Sequence, residues 1–311
     1  MGIDYVYILG AGFGTRMGKL GTVIPKILWP VFEKSILELQ IQMAKSFSPK
    51  KIFLNTHFSH QKIESFIKSH SLETQIEVLF EPQILDIGGA IHNLGRKLSY
   101  KGKVLVLNGD QFYFFGEDDY KDIVNLTEEN RKHLLIGTKV KWSAGYNQLC
   151  EDQDQKLTGI NQNTTPEKAG SMWTYSGCSM INLDLLTPHD GESKFFDSVA
   201  IPSRDTYVHH PKEIEYWDFG TSRRYYDSIF RTLKKLKANE KSKFLNFLNQ
   251  NGGIDSDLLN ETSYNSKGKN NINFSSFNMD HLSNSIIIES GSENLTNCGP
   301  GIYLNEYFEK I

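Results

Sequence analysis

The sequence of 311 residues contains three cysteines, Cys150, Cys178 and Cys298, and no CxxC pair. It therefore offers neither a zinc framework nor a redox motif, and idle thiols in a reducing compartment are expected. No apolar run reaches the ~18 residues that a membrane-spanning helix needs. No basic segment precedes an apolar one near Ile3–Leu9, so no signal peptide is expected. These absences predict a soluble, cytoplasmic protein without a membrane partner. An excess of positive charge is also lacking: 34 Lys and Arg face 37 Asp and Glu, for a formal net charge of −3. Nucleic acid is not an expected partner of such a surface. The histidines His57, His60, His209 and His210 fall outside any HExxH spacing, so ordinary surface or hydrogen-bonding roles are expected, with His57 the best placed to touch a ligand.

The first two-thirds of the chain alternate in period. Tyr5–Leu9, Lys51–Thr56, Ile76–Phe80, Val104–Leu107 and Leu134–Val140 are short apolar runs that read as strands. Between them, Ile36–Ser46, Gln61–Lys68, Gly88–Leu98 and Tyr120–Asn130 carry helical spacing. Continuously apolar strands separated by helices predict an α/β fold, with a mainly parallel sheet covered on both faces. Ligands of such sheets bind outside the carboxyl ends of the strands. The residues at those ends are Gly10–Arg16, Asn55–His57, Glu81 and Asn108–Asp110, which include the glycine-rich and polar parts of the chain.

The glycine-rich segment after the first strand, Gly10-Ala11-Gly12-Phe13-Gly14-Thr15-Arg16, lets backbone amides approach a phosphate chain. Two uses are open. A dinucleotide fingerprint would take Gly10 and Gly12, but its sixth position is Thr15, and the segment before the candidate ribose acid Glu33 contains Pro30. No Gly-Lys-Ser/Thr follows, which excludes a P-loop. The other use adds Arg16 and Lys26 as two cations for a polyphosphate.

These residues resemble the sugar-1-phosphate nucleotidyltransferase family. The pattern L-x-A-G-x-G-T-R-M stands as Leu9 to Met17, and a Pro-Lys motif as Pro25-Lys26-Ile27-Leu28. Leu85-Asp86-Ile87-Gly88-Gly89, Asn108-Gly109-Asp110, Ser176-Gly177 and Trp217-Asp218-Phe219-Gly220-Thr221 follow in the family order. The resemblance covers roughly Ile3 to Phe230, with the N-acetylmuramate uridylyltransferase branch the nearest in pattern. It departs at Ile87, where the family has Thr, and near Asn161-Gln162-Asn163, where relatives carry a sugar-holding Glu-Lys-Pro.

The resemblance implies a Rossmann-like three-layer fold and transfer of a nucleotidyl group from a nucleoside triphosphate to a sugar 1-phosphate, with UTP favoured and GTP or dTTP as alternatives. A non-catalytic sensor of the same fold is the competing possibility. The carry-over makes Arg16 and Lys26 the catalytic cations, and Asp110 and Asp218 the ligands of Mg²⁺. It assigns Leu9, Gly10, Ala11, Gly12, Gly14, Thr15, Glu81 and Gly88 to the nucleotide, and Asn108, Tyr175 and Gly177 to the sugar. An ionised Glu81 would accept from the ring N–H that uracil, thymine and guanine offer. Residues 1–236 are expected to form the catalytic domain. Residues 237–311 are expected to form an accessory extension: helical and basic at first, loop-like over Asn260–Asn278, then a short strand at Ser285–Ile288. Gly252–Gly253 is its expected helix stop. Ile286–Leu304 could make one turn of a hexapeptide coil.

Overall fold

In a computed structural model, the residues described are 3–12, 14–130, 133–142, 145–162, 170–254, 272–273, 284–289, 300–304 and 307–311. Strand β1 (Tyr5–Leu9) leads through the glycine loop to a helical turn at Thr15–Met17 and to the short helix α1 (Leu20–Val23). A small ribbon of β2 (Pro30–Val31) and β3 (Lys34–Ser35) precedes α2 (Ile36–Ser46). That ribbon explains Pro30, which stays out of the central sheet. Helix α2 begins at a capping box, in which Ser35 and Glu38 satisfy each other's backbone amides.

The chain continues through β4 (Lys51–Thr56), α3 (His60–Ser69), β5 (Glu77–Phe80), α4 (Asp86–Lys97) and β6 (Lys103–Asn108). Next come β7 (Gln111–Phe115), α5 (Glu117–Asn130), β8 (His133–Lys141), the ribbon β9 (Gln148–Glu151) and β10 (Leu157–Asn161), and the long β11 (Ser171–Asn182). Then follow α6 (Phe195–Ser198), β12 (Thr206–His209), β13 (Ile214–Asp218), α7 (Ser222–Lys237) and α8 (Lys243–Gln250). Four short strands end the chain: β14 (Ile272–Asn273), β15 (Ser285–Glu289), β16 (Gly301–Leu304) and β17 (Tyr307–Lys310).

The central sheet has seven strands in the order β12-β8-β11-β6-β1-β4-β5, and only β11 runs antiparallel to its neighbours. Its side chains alternate between two cores. Val6, Ile8, Ile52, Leu54, Leu105 and Leu107 face α2, α3, α7 and α8. Tyr7, Phe53, Val104 and Val106 face α4 and α6. Both faces are therefore buried, which is why β6 reads as unbroken apolar sequence. The expected α/β, mainly parallel, Rossmann-like architecture is present.

The region beyond residue 237 is less separate than the sequence suggested. Ile272, Ile286, Ile288, Ile302 and Leu304 belong to the same buried cluster as Met17, Leu20, Trp29 and Tyr225. The helical run breaks after Lys237 and restarts at α8. Gly252, at φ 64, supplies the left-handed turn just beyond the C-cap Asn251 of α8. The strand register stacks Ile272 on Ile286 and Ile286 on Ile302 in parallel, so successive passes of the tail form a coil-like stack. Most of Asn260–Asn278 lies outside the described residues, but Ile272–Asn273 within it is a strand rather than loop. Strand β17 returns to the glycine loop: a Cβ on Gly18 would lie 2.7 Å from Glu309 Oε2.

Candidate active site

The strand register builds the rim of the site. Leu9 pairs with Asn55 on one side and Asn108 on the other, so the carboxyl ends of β1, β4 and β6 lie level. Above them is a cleft of about 600 Å³, lined by Leu9, Gly10, Ala11, Gly12, Thr15, Arg16, Lys26, Asn55, Glu81, Asn108 and Asp110, among others. The glycine loop forms one wall. Gly14 sits at φ 66, and its carbonyl would be 2.2 Å from a Cβ on Gly21, so the turn closes only between two glycines. Gly10 is pressed against Asn55, whose Oδ1 accepts from the Gly10 amide at 2.7 Å.

That contact begins a relay. Asn55 Nδ2 donates to Glu81 Oε1 at 2.8 Å, and Glu81 is 1% exposed. Burial raises the Glu81 pKa, while the Asn55 hydrogen bond and nearby His57 oppose the rise. Glu81 thus borders the cleft and also braces the loop through Asn55. His57 turns Nδ1 to the Glu81 carbonyl at 2.7 Å, which puts it beside the Glu81 end of the cleft.

Asp110 and Asp218 come together through a pairing that the sequence did not reveal. Strands β7 and β13 form an antiparallel ribbon in which Asp218 faces Gln111, the residue after Asp110. The Phe219 amide then donates to the Asp110 carbonyl at 2.9 Å. A Cβ on Gly220 would lie 2.8 Å from Asp218 Oδ1 and 3.1 Å from Asp110 Oδ2, so both carboxylates reach one point that only glycine leaves open. Lys26 Nζ makes an ion pair with Asp110 Oδ2. Asp218 Oδ1 accepts from the Gly220 amide at 2.7 Å. Its Oδ2 accepts from Tyr146 Oη at 2.6 Å, Arg224 Nη1 at 3.1 Å, Tyr216 Oη at 3.2 Å and Gln111 Nε2 at 3.3 Å. Gln111, Tyr146, Tyr216 and Arg224 escaped the sequence analysis. The aromatic runs Phe112–Phe115 and Tyr216–Trp217 were the available signal for the ribbon that carries two of them.

At the end of β6, Asn108 Nδ2 donates to Gln111 Oε1 at 2.9 Å. Gly177 lies directly over this pair at φ 86, where a Cβ would be 2.1 Å from Gln111 Oε1. Two expected site residues are taken up in packing instead. A Cβ on Gly88 would meet the backbone of Ser193 and Lys194 at 2.6 and 2.5 Å, so this glycine exists for helix packing and does not line the cleft. Tyr175 stacks on Phe195 with ring centroids 5.4 Å apart and donates to Ser179 Oγ at 3.0 Å. Asp86 and Glu192 line the cleft without having been singled out.

The fit to Mg²⁺ follows from the donor set. Mg²⁺ takes one or two carboxylates and completes its shell with water and substrate phosphates. Two converging carboxylates with a Cβ-free space between them match that need. No group of three or more His, Cys, Asp or Glu suited to a metal occurs among the described residues, so phosphate oxygens would have to complete the shell. No helix among the described residues is long and apolar enough to cross a membrane. Cys150 and Cys178 are free thiols, and Cys298 lies outside the described residues.

A level rim of strand ends, walled by a glycine loop and flanked by cations and carboxylates, makes an α/β protein whose cleft suits a phosphate-bearing ligand. Comparison narrows that class. The nucleotidyl transferase family profile matches residues 5–157. The bifunctional sugar-1-phosphate nucleotidylyltransferase/acetyltransferase of Sulfurisphaera tokodaii is 28% identical over 218 residues, 68% of this chain and 50% of that protein. Bifunctional protein GlmU of Buchnera aphidicola subsp. Schizaphis graminum is 39% identical over 157 residues, 48% of this chain and 32% of that protein. D-glycero-alpha-D-manno-heptose 1-phosphate guanylyltransferase of Campylobacter jejuni is 31% identical over 106 residues, 34% of this chain and 47% of that protein. The segment 5–157, just under half of the chain, thus resembles the nucleotidyl transferase family, and the chain spans half or less of the length of these three relatives. The fold agrees: HddC from Yersinia pseudotuberculosis superimposes with a TM-score of 0.61 at 24% identity, over 74% of this chain and 99% of that one. A UDP-glucose pyrophosphorylase complexed with UDP-glucose gives 0.57 at 16% identity, over 75% and 99%.

Proposed function

We propose that the chain transfers a nucleotidyl group from a nucleoside triphosphate to a sugar 1-phosphate. The observation that carries this is the convergence of Asp110 and Asp218 on Gly220, with Lys26 on Asp110, at the foot of a glycine loop. In the reaction, a phosphate oxygen of the sugar attacks the α-phosphorus in line. The bond from the α-phosphorus to the bridging oxygen breaks, and that oxygen leaves with pyrophosphate. The attacking phosphate is already ionised, so no general base is needed, and positioning and electrostatics must supply the rate. Amides of Gly10–Thr15 would cradle the triphosphate. Arg16, an exposed side chain on the cleft wall, would hold the leaving phosphates with its planar fork. Lys26 would place its charge at the α-phosphate, and Asn108 and Gly177 would form the floor beneath the sugar. Mg²⁺ held by Asp110 and Asp218 would supply charge neutralisation at the reacting phosphate.

For the base, Glu81 favours one with a ring N–H, and UTP is the first donor to test. GTP is the second reading. Besides Asp110, the carboxylates Glu81, Asp86 and Glu192 line the cleft, and guanine presents two adjacent donors where uracil presents one. The heptose 1-phosphate guanylyltransferase relative supports it. Pyrophosphate release with UTP, GTP or dTTP, Mg²⁺ and a panel of sugar 1-phosphates tests the proposal. Release with no combination, alongside nucleotide binding, would favour a sensor of this fold. Binding and turnover of a nicotinamide cofactor instead would overturn it.

A further inference from the structure

Asp218 is held far more tightly than a metal ligand needs for its own solvation. Four donors converge on its Oδ2, from four parts of the chain: Gln111 on β7, Tyr146 two residues before β9, Tyr216 on β13 and Arg224 in the first turn of α7. A carboxylate oxygen has two lone-pair sites, so Oδ2 is saturated. Oδ1 has one amide partner, Gly220, and faces the point that Asp110 also reaches. Tyr146 and Arg224 are fastened to each other as well: the guanidinium carbon lies 4.3 Å over the Tyr146 ring. The shortest of the four bonds, at 2.6 Å, is the one from Tyr146.

We propose that Tyr146 and Arg224 are positioning residues for the transfer reaction, a clamp that locks Asp218 Oδ2 so that Oδ1 alone is presented to the divalent cation. Neither residue touches the reacting atoms in this role; each acts through Asp218. Because Tyr146 leads directly into β9, the clamp also fastens the β9–β10 ribbon to the metal carboxylate. This inference rests on the assignment of Asp218 as a metal ligand.

Mn²⁺, whose free form is counted by electron paramagnetic resonance, is the probe. Its dissociation constant is measured with saturating UTP for the intact wild-type chain and for Tyr146→Phe, Arg224→Lys and Asp218→Asn. Tyr146→Phe removes only the hydroxyl, and Arg224→Lys keeps the charge but not the fork. The clamp predicts that each weakens Mn²⁺ binding by roughly 10- to 100-fold, as loss of a partner that orients a metal ligand does. Melting temperatures should stay close to wild type. Raised Mg²⁺ should restore kcat in both variants. Unchanged Mn²⁺ affinity with a lowered melting temperature would mean that the pair only braces the fold, and would overturn the proposal. Tighter Mn²⁺ binding would mean that the donors merely drain charge from Asp218, and would overturn it too. Equal binding by wild type and Asp218→Asn is a separate outcome: it would remove the metal assignment itself.

Discussion

Lys26 Nζ and Asp110 Oδ2 are in direct contact across 84 residues of sequence, at the point where the glycine loop meets the end of β6. The pair joins the cation proposed for the α-phosphate to a carboxylate proposed for the metal. Removing either charge therefore disturbs both. Asp110→Asn and Asp218→Asn keep size and shape, so they test charge rather than packing. Each should lower turnover by ~10²-fold or more, which corresponds to ~2.7 kcal/mol of transition-state stabilisation. Initial rates with and without added Mg²⁺ check this. Partial recovery at high Mg²⁺ is expected, whereas wild-type rates in both variants, or activity that survives EDTA, would remove the metal from the account.

Gly177 should be intolerant of even a methyl group. At φ 86 a side chain is strained, and the added Cβ would meet Asn108 Nδ2 at 2.4 Å and Gln111 Oε1 at 2.1 Å. Backbone strain of this kind costs about 1–3 kcal/mol. Gly177→Ala should therefore lower the melting temperature and raise KM for the sugar phosphate more than KM for the nucleotide. A variant with unchanged KM for both would mean that the floor under the sugar lies elsewhere.

The tail yields a third expectation, opposite to the one its composition suggests. Ile286 and Ile302 are fully buried in the cluster that holds Met17 and Leu20 under the glycine loop. Ile286→Ala should cost about 2–5 kcal/mol, the range for large-to-small changes in a packed core. Truncation after Gln250 should cost at least as much and should weaken triphosphate binding, since the support beneath Met17 goes with it. Chemical denaturation and nucleotide titration measure the two effects. A truncated chain of wild-type stability and affinity would restore the picture of a detachable appendage.

Much of this was legible in the sequence because it is local. The strand-then-glycine pattern at Tyr5–Gly14, the apolar runs of β4 and β6, and the polar residues closing each strand are near-neighbour signals. What stayed hidden depends on partners distant in sequence. The β7–β13 ribbon joins residues about a hundred positions apart, so Gln111 could not be placed on Asp218 beforehand, and Tyr146 lies 72 positions from it. Gly88 was read as a ligand glycine from its motif, yet its missing Cβ makes room for backbone at Ser193 and Lys194. A glycine needed for packing and one needed for a phosphate look alike until the neighbour is known. The tail misled for a similar reason: the short apolar runs that bind it to the core, such as Ile286–Ile288, are separated by long polar stretches.

His133 should make stability depend on pH between about 4 and 6.5. It is 4% exposed at the start of β8, and its Nδ1 accepts from the Asn182 amide at 3.3 Å, a bond that only the neutral ring can make with that nitrogen. Burial pushes its pKa down from 6.5 to about 4, with Asp205 opposing the shift. The sign follows from which state binds the proton. Below pH 6.5 the unfolded chain takes up a proton at this histidine, while the folded chain does not until about pH 4. Acid therefore favours unfolding across that window, and stability rises with pH until the unfolded form also becomes neutral. The full effect of this one group is about 3 kcal/mol, lost progressively as the pH falls from 6.5 to 4. Burial lowers the pKa of His92, His209 and His210 as well, so their contributions have the same sign. Melting temperatures in matched buffers at pH 7.5, 6, 5 and 4.5 should fall steadily toward acid. His133→Gln keeps an acceptor for the Asn182 amide but cannot titrate, so its curve should be shallower than wild type over the same range. Parallel curves for the two proteins would show that His133 is not what acid attacks.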